Sequence, residues 1–161
     1  SSRNAGFESM AEVDWMKLFQ KDARRRLSTF VNYSFIHAVY TDTQPAYTGK
    51  KVEYVPAHIF RMGATFDTGS FGITCQYSYT SDQFSDASNA LSSPSGIYGL
   101  VPAYSVIHLS ASYEWKRNGV VAGCNNLPDA KYFTRRAEAY PGPGIIPADP
   151  RNVYITLQVK L

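Results

Sequence analysis

Long apolar runs are absent from this chain of 161 residues, and charged residues make up only 18% of it. No stretch approaches the roughly 20 consecutive apolar residues of a membrane-spanning helix, so that kind of segment is excluded. The formal net charge of +3 is small and the basic residues are scattered, which argues against a nucleic-acid-binding protein. The opening SSRNAGFESM lacks the basic-then-apolar pattern of a signal peptide. Aromatic residues nevertheless reach 14%, so the composition is that of one folded domain.

Cysteine is equally scarce, and the residue patterns of catalytic and metal sites are missing. Cys75 and Cys124 fall in separate strand-like segments, so we expect two unpaired thiols that act as small apolar residues. His37, His58 and His108 have no paired ligand spacing, and neither a phosphate-binding glycine loop nor a Gly-x-Ser-x-Gly elbow is present. We therefore predict a protein that is not an enzyme, with no catalytic residue, no metal site and no cofactor.

Alternation of apolar and polar residues is the dominant pattern in the chain. It recurs in seven segments with the period of two residues that is typical of β-strands, whereas no helical period of comparable quality is present. The pattern predicts an all-β fold, an antiparallel meander of about seven strands. The faces of the sixth segment cannot be assigned from its residues. The segments are 6–15, 26–40, 58–66, 71–82, 106–116, 119–126 and 152–161.

The connections between these segments are alternately short and long. In an antiparallel meander alternate connections lie at opposite ends, so one end of the sheet should carry tight turns and the other end bulky loops. Within the short connection KRNG, Asn118 and Gly119 are expected to be the central residues of a hairpin turn, because both tolerate positive φ. The long connections are residues 41–56, 81–103 and 129–151.

Two environments fit strands that have one apolar and one polar face. A soluble barrel or sandwich would bury the apolar face, whereas an outer-membrane barrel would turn it toward lipid and keep a polar lumen. Three features favour the membrane. The polar positions are mostly small or hydroxylic residues, one end of the sheet has only short turns, and the large aromatic residues lie at similar heights along the strands. Those aromatics predict a girdle at one membrane interface, next to the short turns, composed of Trp15, Phe66, Phe71 and Trp115.

The last segment has the cleanest alternation of all. A C-terminal strand of this kind would end on the periplasmic side, and its apolar residues have the form of an insertion signal that is recognised during barrel assembly. Its edge must also pair with another strand, because an open edge is not tolerated in lipid. The apolar residues of this C-terminal insertion strand are Val153, Ile155, Leu157, Val159 and Leu161.

Seven is an odd number of strands, whereas bacterial single-chain barrels have an even number of at least eight. We therefore expect the chain to be part of a larger barrel, whose other strands come from upstream residues or from another chain. Two alternatives remain open. One is a small stand-alone outer-membrane barrel of porin or adhesin type, and the other is a soluble β-barrel carrier with its apolar face inside.

From Asn125 onward the chain contains an Asn-Leu-x-Asp-x-x-Tyr segment, an arginine-bearing loop, a Pro-Gly-rich turn and a final strand led by arginine. With these features in this order, the segment resembles the C-terminal end of TonB-dependent outer-membrane receptors. VEYVPAHIFRMGATF and YSFIHAVYTD resemble two further strands of that family, and the YPGPG stretch resembles its ferric-citrate-like branch. The chain departs from the family pattern by ending on Leu161, where phenylalanine is commoner, and by placing Cys124 at an aliphatic position.

The resemblance implies a plugged barrel of 22 strands, of which residues 1–161 would be a C-terminal β-barrel segment, about the last third, without the plug domain. It implies a receptor in the cell outer membrane that takes up a scarce ligand, a ferric chelate of siderophore or citrate type. Its partners would be outer-membrane lipid, the remaining barrel strands, the plug, the barrel assembly machinery, and TonB through the plug.

Ligand-binding residues are expected in the long loops, where Arg135, Arg136 and Tyr132 precede the stiff YPGPGIIP stretch. Guanidinium groups suit anionic ferric chelates, because they bind carboxylate or catecholate oxygens through paired hydrogen bonds. The alternative is that the two arginines bind acidic residues of neighbouring loops, lipopolysaccharide phosphates or the plug. Tyr47, Tyr54 and Tyr98 in the other long loops could line the same vestibule.

Overall fold

The structure is a computed structural model that describes residues 1–19, 25–41, 45–139 and 143–160. Leu161, predicted to end the insertion strand, lies outside the described residues. Within them the regular structure is nearly all β-strand, and no helix is long and apolar enough to cross a membrane. The elements are β1 (Ser2–Asp14), α1 (Trp15–Phe19), β2 (Arg26–Tyr40), β3 (His58–Asp67), β4 (Phe71–Thr80), β5 (Gln83–Phe84), β6 (Leu100–Val101), β7 (Tyr104–Trp115), β8 (Asn118–Asn125), β9 (Phe133–Ala137), β10 (Gly144–Pro147) and β11 (Asn152–Val159).

Seven strands pair into one antiparallel sheet in the order β1-β2-β3-β4-β7-β8-β11. They correspond to the seven predicted segments, so the prediction of an all-β antiparallel meander is confirmed. The edge strands β1 and β11 do not pair with each other, and the sheet is not closed into a barrel. The remaining strands form two small hairpins in the long connections, β5 with β6 and β9 with β10. These strands are too short to show an alternating pattern, so the sequence did not predict them.

The register of the sheet puts the alternating apolar residues of all seven strands on one face, although a few others, such as Phe30, Ile36 and Val121, lie on the opposite face. Directly paired residues of antiparallel strands share a face, and one such row runs from Ile155 through Ala122 to Ala111. The same pairing assigns β8, whose faces the sequence left open, because Val120, Ala122 and Cys124 all belong to the apolar rows. The seven strands therefore form a continuous wall with one apolar and one mostly polar side.

Within residues 1–19, 25–41, 45–139 and 143–160, no second layer of protein covers the apolar face. On β11, Val153, Ile155 and Leu157 are 77%, 75% and 76% exposed, and only three apolar side chains are buried among the described residues. A soluble barrel or sandwich would hold these side chains in a dry core. A small closed barrel would need β1 paired with β11. Neither alternative matches the observed fold.

The opposite face is mostly polar, and two of its aromatic residues lie over glycines of the neighbouring strand. The ring of Phe30 covers Gly63 and the ring of Tyr154 covers Gly123, so a Cβ atom at either glycine would collide with a ring. An aromatic ring over a glycine restores the packing that the glycine itself cannot supply. This contact explains why Phe30 interrupts the polar pattern of β2.

One predicted turn is displaced along the chain. The hairpin between β7 and β8 is present, with Trp115 paired to Asn118. Its two-residue turn is Lys116 and Arg117, and Lys116 adopts a positive φ of 52°. The prediction that Asn118 and Gly119 form the turn is therefore wrong. Both residues pair with β7 and with β11, and these ladders outweigh the local turn preference of Asn-Gly.

The sequence predicts that Trp15 is the last residue of the first strand, and this is wrong. Trp15 is instead the first residue of α1. Asp14 caps this helix by accepting a hydrogen bond from the Lys17 backbone N–H at 3.3 Å. The indole Nε1 of Trp15 donates to Thr29 Oγ1 at 2.9 Å, and its ring stacks on Phe19 with centroids 6.0 Å apart. Trp15 therefore leaves the strand but stays beside the short-turn end of the sheet.

The two cysteines lie on the apolar face and are unpaired. Both are directly opposite Leu109, Cys75 on one side and Cys124 on the other, so β7 separates them. Two strand spacings amount to about 9.6 Å, which exceeds the Cα separation that a disulfide can bridge. The prediction of two free thiols is confirmed.

Candidate functional site

Three long connections leave the same end of the sheet, because the short connections occupy the other end. We call them loop 1 (residues 41–57), loop 2 (81–103) and loop 3 (126–151). Loop 2 contains the β5–β6 hairpin and loop 3 contains the β9–β10 hairpin. The predicted ligand-binding residues all lie in loop 3, although the first three residues of its YPGPGIIP stretch lie outside the described residues.

Loop 1 is hydrogen-bonded to loop 2 in its second half. The Lys51 backbone N–H donates to Asn89 Oδ1 at 2.7 Å, and Asn89 Nδ2 donates back to the Lys51 carbonyl at 2.8 Å. Lys50 Nζ donates to the Ser88 carbonyl, also at 2.8 Å. The two loops therefore form one body over the end of the sheet.

Arg136 joins loop 3 to the same body. Its guanidinium donates to the carbonyls of Gly96 and Leu100, at 2.7 and 3.1 Å, and lies over the ring of Phe133 at 5.2 Å. Tyr54 of loop 1 contacts the Arg136 backbone, its hydroxyl lying 3.4 Å from both the N–H and the carbonyl oxygen. Arg136 thus binds a neighbouring loop, through carbonyls rather than the acidic side chains considered from the sequence.

Arg135 is placed differently from its neighbour. The two arginines are adjacent on β9, so their side chains point to opposite sides of the hairpin. Arg135 is exposed, and within the described part of the chain its guanidinium makes no hydrogen bond or ion pair. Its charge is free to meet an anion, whereas the guanidinium of Arg136 is engaged in the loop junction.

Tyr132 packs against the wall where loop 3 leaves it. Its ring stacks on Tyr104, with centroids 4.4 Å apart and an interplanar angle of 19°. Burial raises the pKa of the Tyr132 phenol, and the nearby Tyr104 and Asp149 raise it further. The phenol therefore stays protonated at neutral pH and can donate a hydrogen bond to a ligand oxygen.

The base of loop 3 is closed by Asn126, which is only 3% exposed. Its Oδ1 accepts the Ala130 N–H at 2.9 Å, while its Nδ2 donates to the carbonyls of Ala130 and Asp149 at 2.9 and 3.3 Å. These bonds hold the outgoing and returning parts of the loop together. Sequence reasoning noted Asn126 only as part of a family motif and missed this role.

Asp129, the acidic residue of the same motif, completes the closure. Its Oδ1 accepts the Arg151 backbone N–H at 3.0 Å, and its Oδ2 pairs with Lys131 Nζ at 3.0 Å. The Arg151 hydrogen bond and then the Lys131 contact lower the pKa of this carboxyl. Arg151 also donates from Nη1 to the Leu127 carbonyl at 3.3 Å. The motif residues therefore form a clamp that seats loop 3 on β8 and β11.

Replacing Asn126 by alanine should open the base of loop 3. The change removes the hydrogen bonds that Asn126 makes to the backbone of Ala130 and to the Asp149 carbonyl, at a cost of about 0.5–1.5 kcal/mol each. In the full-length protein we expect faster hydrogen exchange and earlier proteolysis across residues 126–151, with the sheet unaffected. Asn125→Ala, one residue earlier on the wall, serves as the matched control. Equal exchange in both variants would contradict the clamp.

The polar face below the loops carries a groove of about 300 Å³. Gln76, His108 and Tyr154 help to line it, and His108 Nδ1 lies 3.2 Å from Asn125 Oδ1. Asn125 in turn donates to Asn152 Oδ1 at 2.9 Å. No cluster of metal-ligating side chains occurs among the residues that the structure describes. The groove is a surface of hydrogen-bonding side chains, with no aspartate, glutamate, lysine or arginine in its lining.

The four residues of the predicted girdle all lie at the short-turn end. Phe66 and Phe71 flank the turn between β3 and β4, and Trp115 precedes the turn between β7 and β8. The ring of Trp115 stacks on Tyr113, with centroids 5.8 Å apart, and Tyr113 is directly opposite Phe71. Trp15 lies beside this end in α1. Their position in a membrane interface stays a prediction.

Known proteins share this architecture. The family model described as TonB dependent receptor-like, beta-barrel matches residues 1–127. The ferric citrate transporter FecA is similar in fold, with 22% identity and a TM-score of 0.87 over 98% of this chain and 24% of that chain. No curated protein matches the sequence.

Two further solved structures align with the same sheet. The ferric yersiniabactin uptake receptor FyuA from Yersinia pestis has 17% identity and a TM-score of 0.76, over 98% of this chain and 23% of that one. The siderophore receptor PiuA from Acinetobacter baumannii has 18% identity and a TM-score of 0.71, over 97% and 21%. The chain thus spans about a quarter of the length of these proteins. Because the family model covers most of its residues, the chain belongs to the TonB-dependent receptor β-barrel family.

Proposed function

We propose that this chain supplies wall and outer loops to an outer-membrane receptor that takes up a scarce ligand. The observation that carries the proposal is the apolar face, which spans all seven strands and has no layer of described residues against it. Lipid is the environment that accepts such a face. The mostly polar face then lines the lumen, the short turns face the periplasm, and loops 1 to 3 face the outside.

The open edges of the sheet support the proposal that further strands complete the wall. In lipid every backbone N–H and C=O must be paired, so β1 and β11 each require a neighbouring strand. We place residues 1–161 as the C-terminal barrel segment, with the other strands and the plug in upstream residues or another chain. The C-terminal strand, Val153 to Leu161, would be recognised by the barrel assembly machinery. Uptake would be binding followed by plug rearrangement, driven by TonB through the plug.

A ferric chelate of citrate or siderophore type is the ligand class we propose. The proteins of similar fold include a ferric citrate transporter and two siderophore receptors. Such chelates are anionic, and loop 3 carries the exposed cation of Arg135 and, three residues earlier, the hydroxyl donor of Tyr132. Arg136 acts as a positioning residue, since its hydrogen bonds to loop 2 hold the hairpin that carries Arg135.

Replacing Arg135 by alanine should weaken binding of an anionic ferric chelate about tenfold or more, the loss expected for charge-assisted hydrogen bonds. The measurement is calorimetric titration of the full-length protein with ferric citrate, a ferric catecholate and a neutral ferric hydroxamate. Arg117→Ala, in a short turn at the other end of the sheet, removes the same side chain and should leave binding unchanged.

The possible outcomes test two hypotheses separately: that the ligand is anionic, and that the protein transports ferric chelates. The anionic ligand class would be rejected if only the neutral chelate bound, and if the Arg135→Ala variant bound it with the same affinity as the unmodified protein. Absence of binding and of cellular uptake for every chelate would reject ferric chelate transport altogether.

A further inference from the structure

On the apolar face of the seven described strands, Arg3 is the one residue that is a lysine, arginine, aspartate or glutamate. It is directly opposite Val39 of β2, and on the other side of Val39 lies Lys51, joined to it by an isolated antiparallel bridge. His37 is two residues from Val39 on the same strand and therefore on the same face. Three basic residues thus surround one valine on the apolar side of the wall.

These three basic side chains are exposed. Within the described residues none of them forms an ion pair with a carboxylate, and Lys51 Nζ lies 5.9 Å from the centroid of the Phe84 ring. Among the described residues of loop 1 the acidic one is Glu53, and it accepts a hydrogen bond from Tyr40, which points to the opposite face of β2. In this cluster, Arg3, His37 and Lys51, the positive charges of Arg3 and Lys51 are not neutralised by the described chain.

An aromatic cluster lies on the same face immediately below the cations. The ring of Phe7 is 5.6 Å from Tyr33 and 6.0 Å from Phe35, and the ring of Phe35 is 5.3 Å from His58. The Tyr33 hydroxyl lies 2.8 Å from His58 Nδ1. Aromatic rings with polar tips are typical of the membrane–water interface. The basic cluster is therefore next to an interfacial belt, on its water side.

The height of the cluster agrees with that position. Leu27 of β2 is directly opposite Phe66 of the girdle, and Val39 is twelve residues further along the same strand. Twelve residues span about 40 Å of strand, or about 30 Å along the membrane normal at a strand tilt of about 40°. The hydrocarbon core of a bilayer is about 30 Å thick. If the girdle marks one interface, the cations lie among the headgroups of the other leaflet.

We propose that Arg3, His37 and Lys51 bind the phosphate of a lipid headgroup in the outer leaflet, whose acyl chains then lie on the aromatic cluster. Arginine and lysine are the side chains that suit phosphate oxygens, and the uncompensated charge calls for an anion. An exposed loop cation could bind any anion, but these cations are continuous with the lipid-facing surface. The inference rests on the proposed membrane function.

The test uses the full-length protein in nanodiscs of phosphatidylcholine that contain a small fraction of lipid A, a phosphate-bearing glycolipid. Retained lipid A per protein is measured by native mass spectrometry as its fraction is varied. Each of R3Q and K51Q should weaken retention about fivefold, and the double variant about 25-fold, since each cation near a membrane surface contributes about one factor of this size. R61Q, on the polar face of β3, is the matched control and should retain lipid A normally.

Three results would overturn the inference. The first is equal retention of lipid A by R3Q/K51Q and R61Q, and the second is equal retention of lipid A from which the phosphates have been removed. The third is displacement of lipid A by inorganic phosphate, which would identify a site for free anions. Failure of the unmodified protein to enter nanodiscs would instead reject the proposed membrane function, so the two failures are distinguishable.

Discussion

Leu157→Arg should destabilise the barrel by about 2–4 kcal/mol, the cost of an arginine at the bilayer midplane on the lipid-facing side. Leu157 is central in the alternation from Val153 to Leu161, and its side chain is 76% exposed on the apolar face. The cation would have to leave water for hydrocarbon, and none of the described residues on that face carries a carboxylate that could pair with it. The measurement is the free energy of unfolding of the full-length protein in phospholipid vesicles, by urea titration.

Gln158→Arg is the matched control, because the adjacent residue points to the opposite face. In a water-filled lumen the new cation stays hydrated, so stability should change by less than about 1 kcal/mol. If the two variants are destabilised equally, or if Gln158→Arg is the worse, the apolar face does not meet lipid. That outcome would remove the basis of the membrane assignment.

The isolated chain, residues 1–161, should fail to form a closed barrel in detergent. Its edge strands β1 and β11 do not pair with each other, and each presents a row of backbone groups that cost several kcal/mol apiece when left unpaired in an apolar medium. We expect no heat-modifiable migration on a detergent gel from this chain, whereas the full-length protein should show it.

Two results would point elsewhere. A compact, heat-modifiable monomer formed by the isolated chain would favour a stand-alone barrel. A monomer recovered without detergent would favour a soluble carrier, and its apolar face would then have to close on itself. Both results are incompatible with two open strand edges.

Much of the fold could be predicted because successive side chains of a strand point to opposite faces, so apolar and polar residues alternate with a period of two. The segments around Ile155 and Leu109 alternate so regularly that their faces and approximate bounds follow directly. The pattern is less informative where both faces carry small residues, as in β8, and there pairing with Leu157 and its neighbours was needed to orient Val120. Phe30 broke the pattern because it covers a glycine of another strand.

The candidate site could be predicted only in part. The sequence indicated that Arg135 and Arg136 lie in a long loop. No sequence pattern could tell which of two adjacent arginines binds a neighbouring loop and which is exposed. The structure distinguishes them: Arg136 hydrogen-bonds to Gly96 and Leu100, about 40 residues earlier, and Arg135 is exposed. A contact across that separation depends on how loops fold over the sheet, which local propensity does not encode.

By itself the sequence determined the fold class, the number and order of the wall strands, and which side of the wall is apolar, because hydrophobic alternation is a local property. The tertiary structure alone decided the turn at Lys116, the start of α1 at Trp15 and the grouping of Arg3 with Lys51. These features arise from pairing between distant segments. The free energy of a ladder shared by several strands exceeds the preference of any short stretch, so the neighbours of a residue, rather than its own type, determine where it lies.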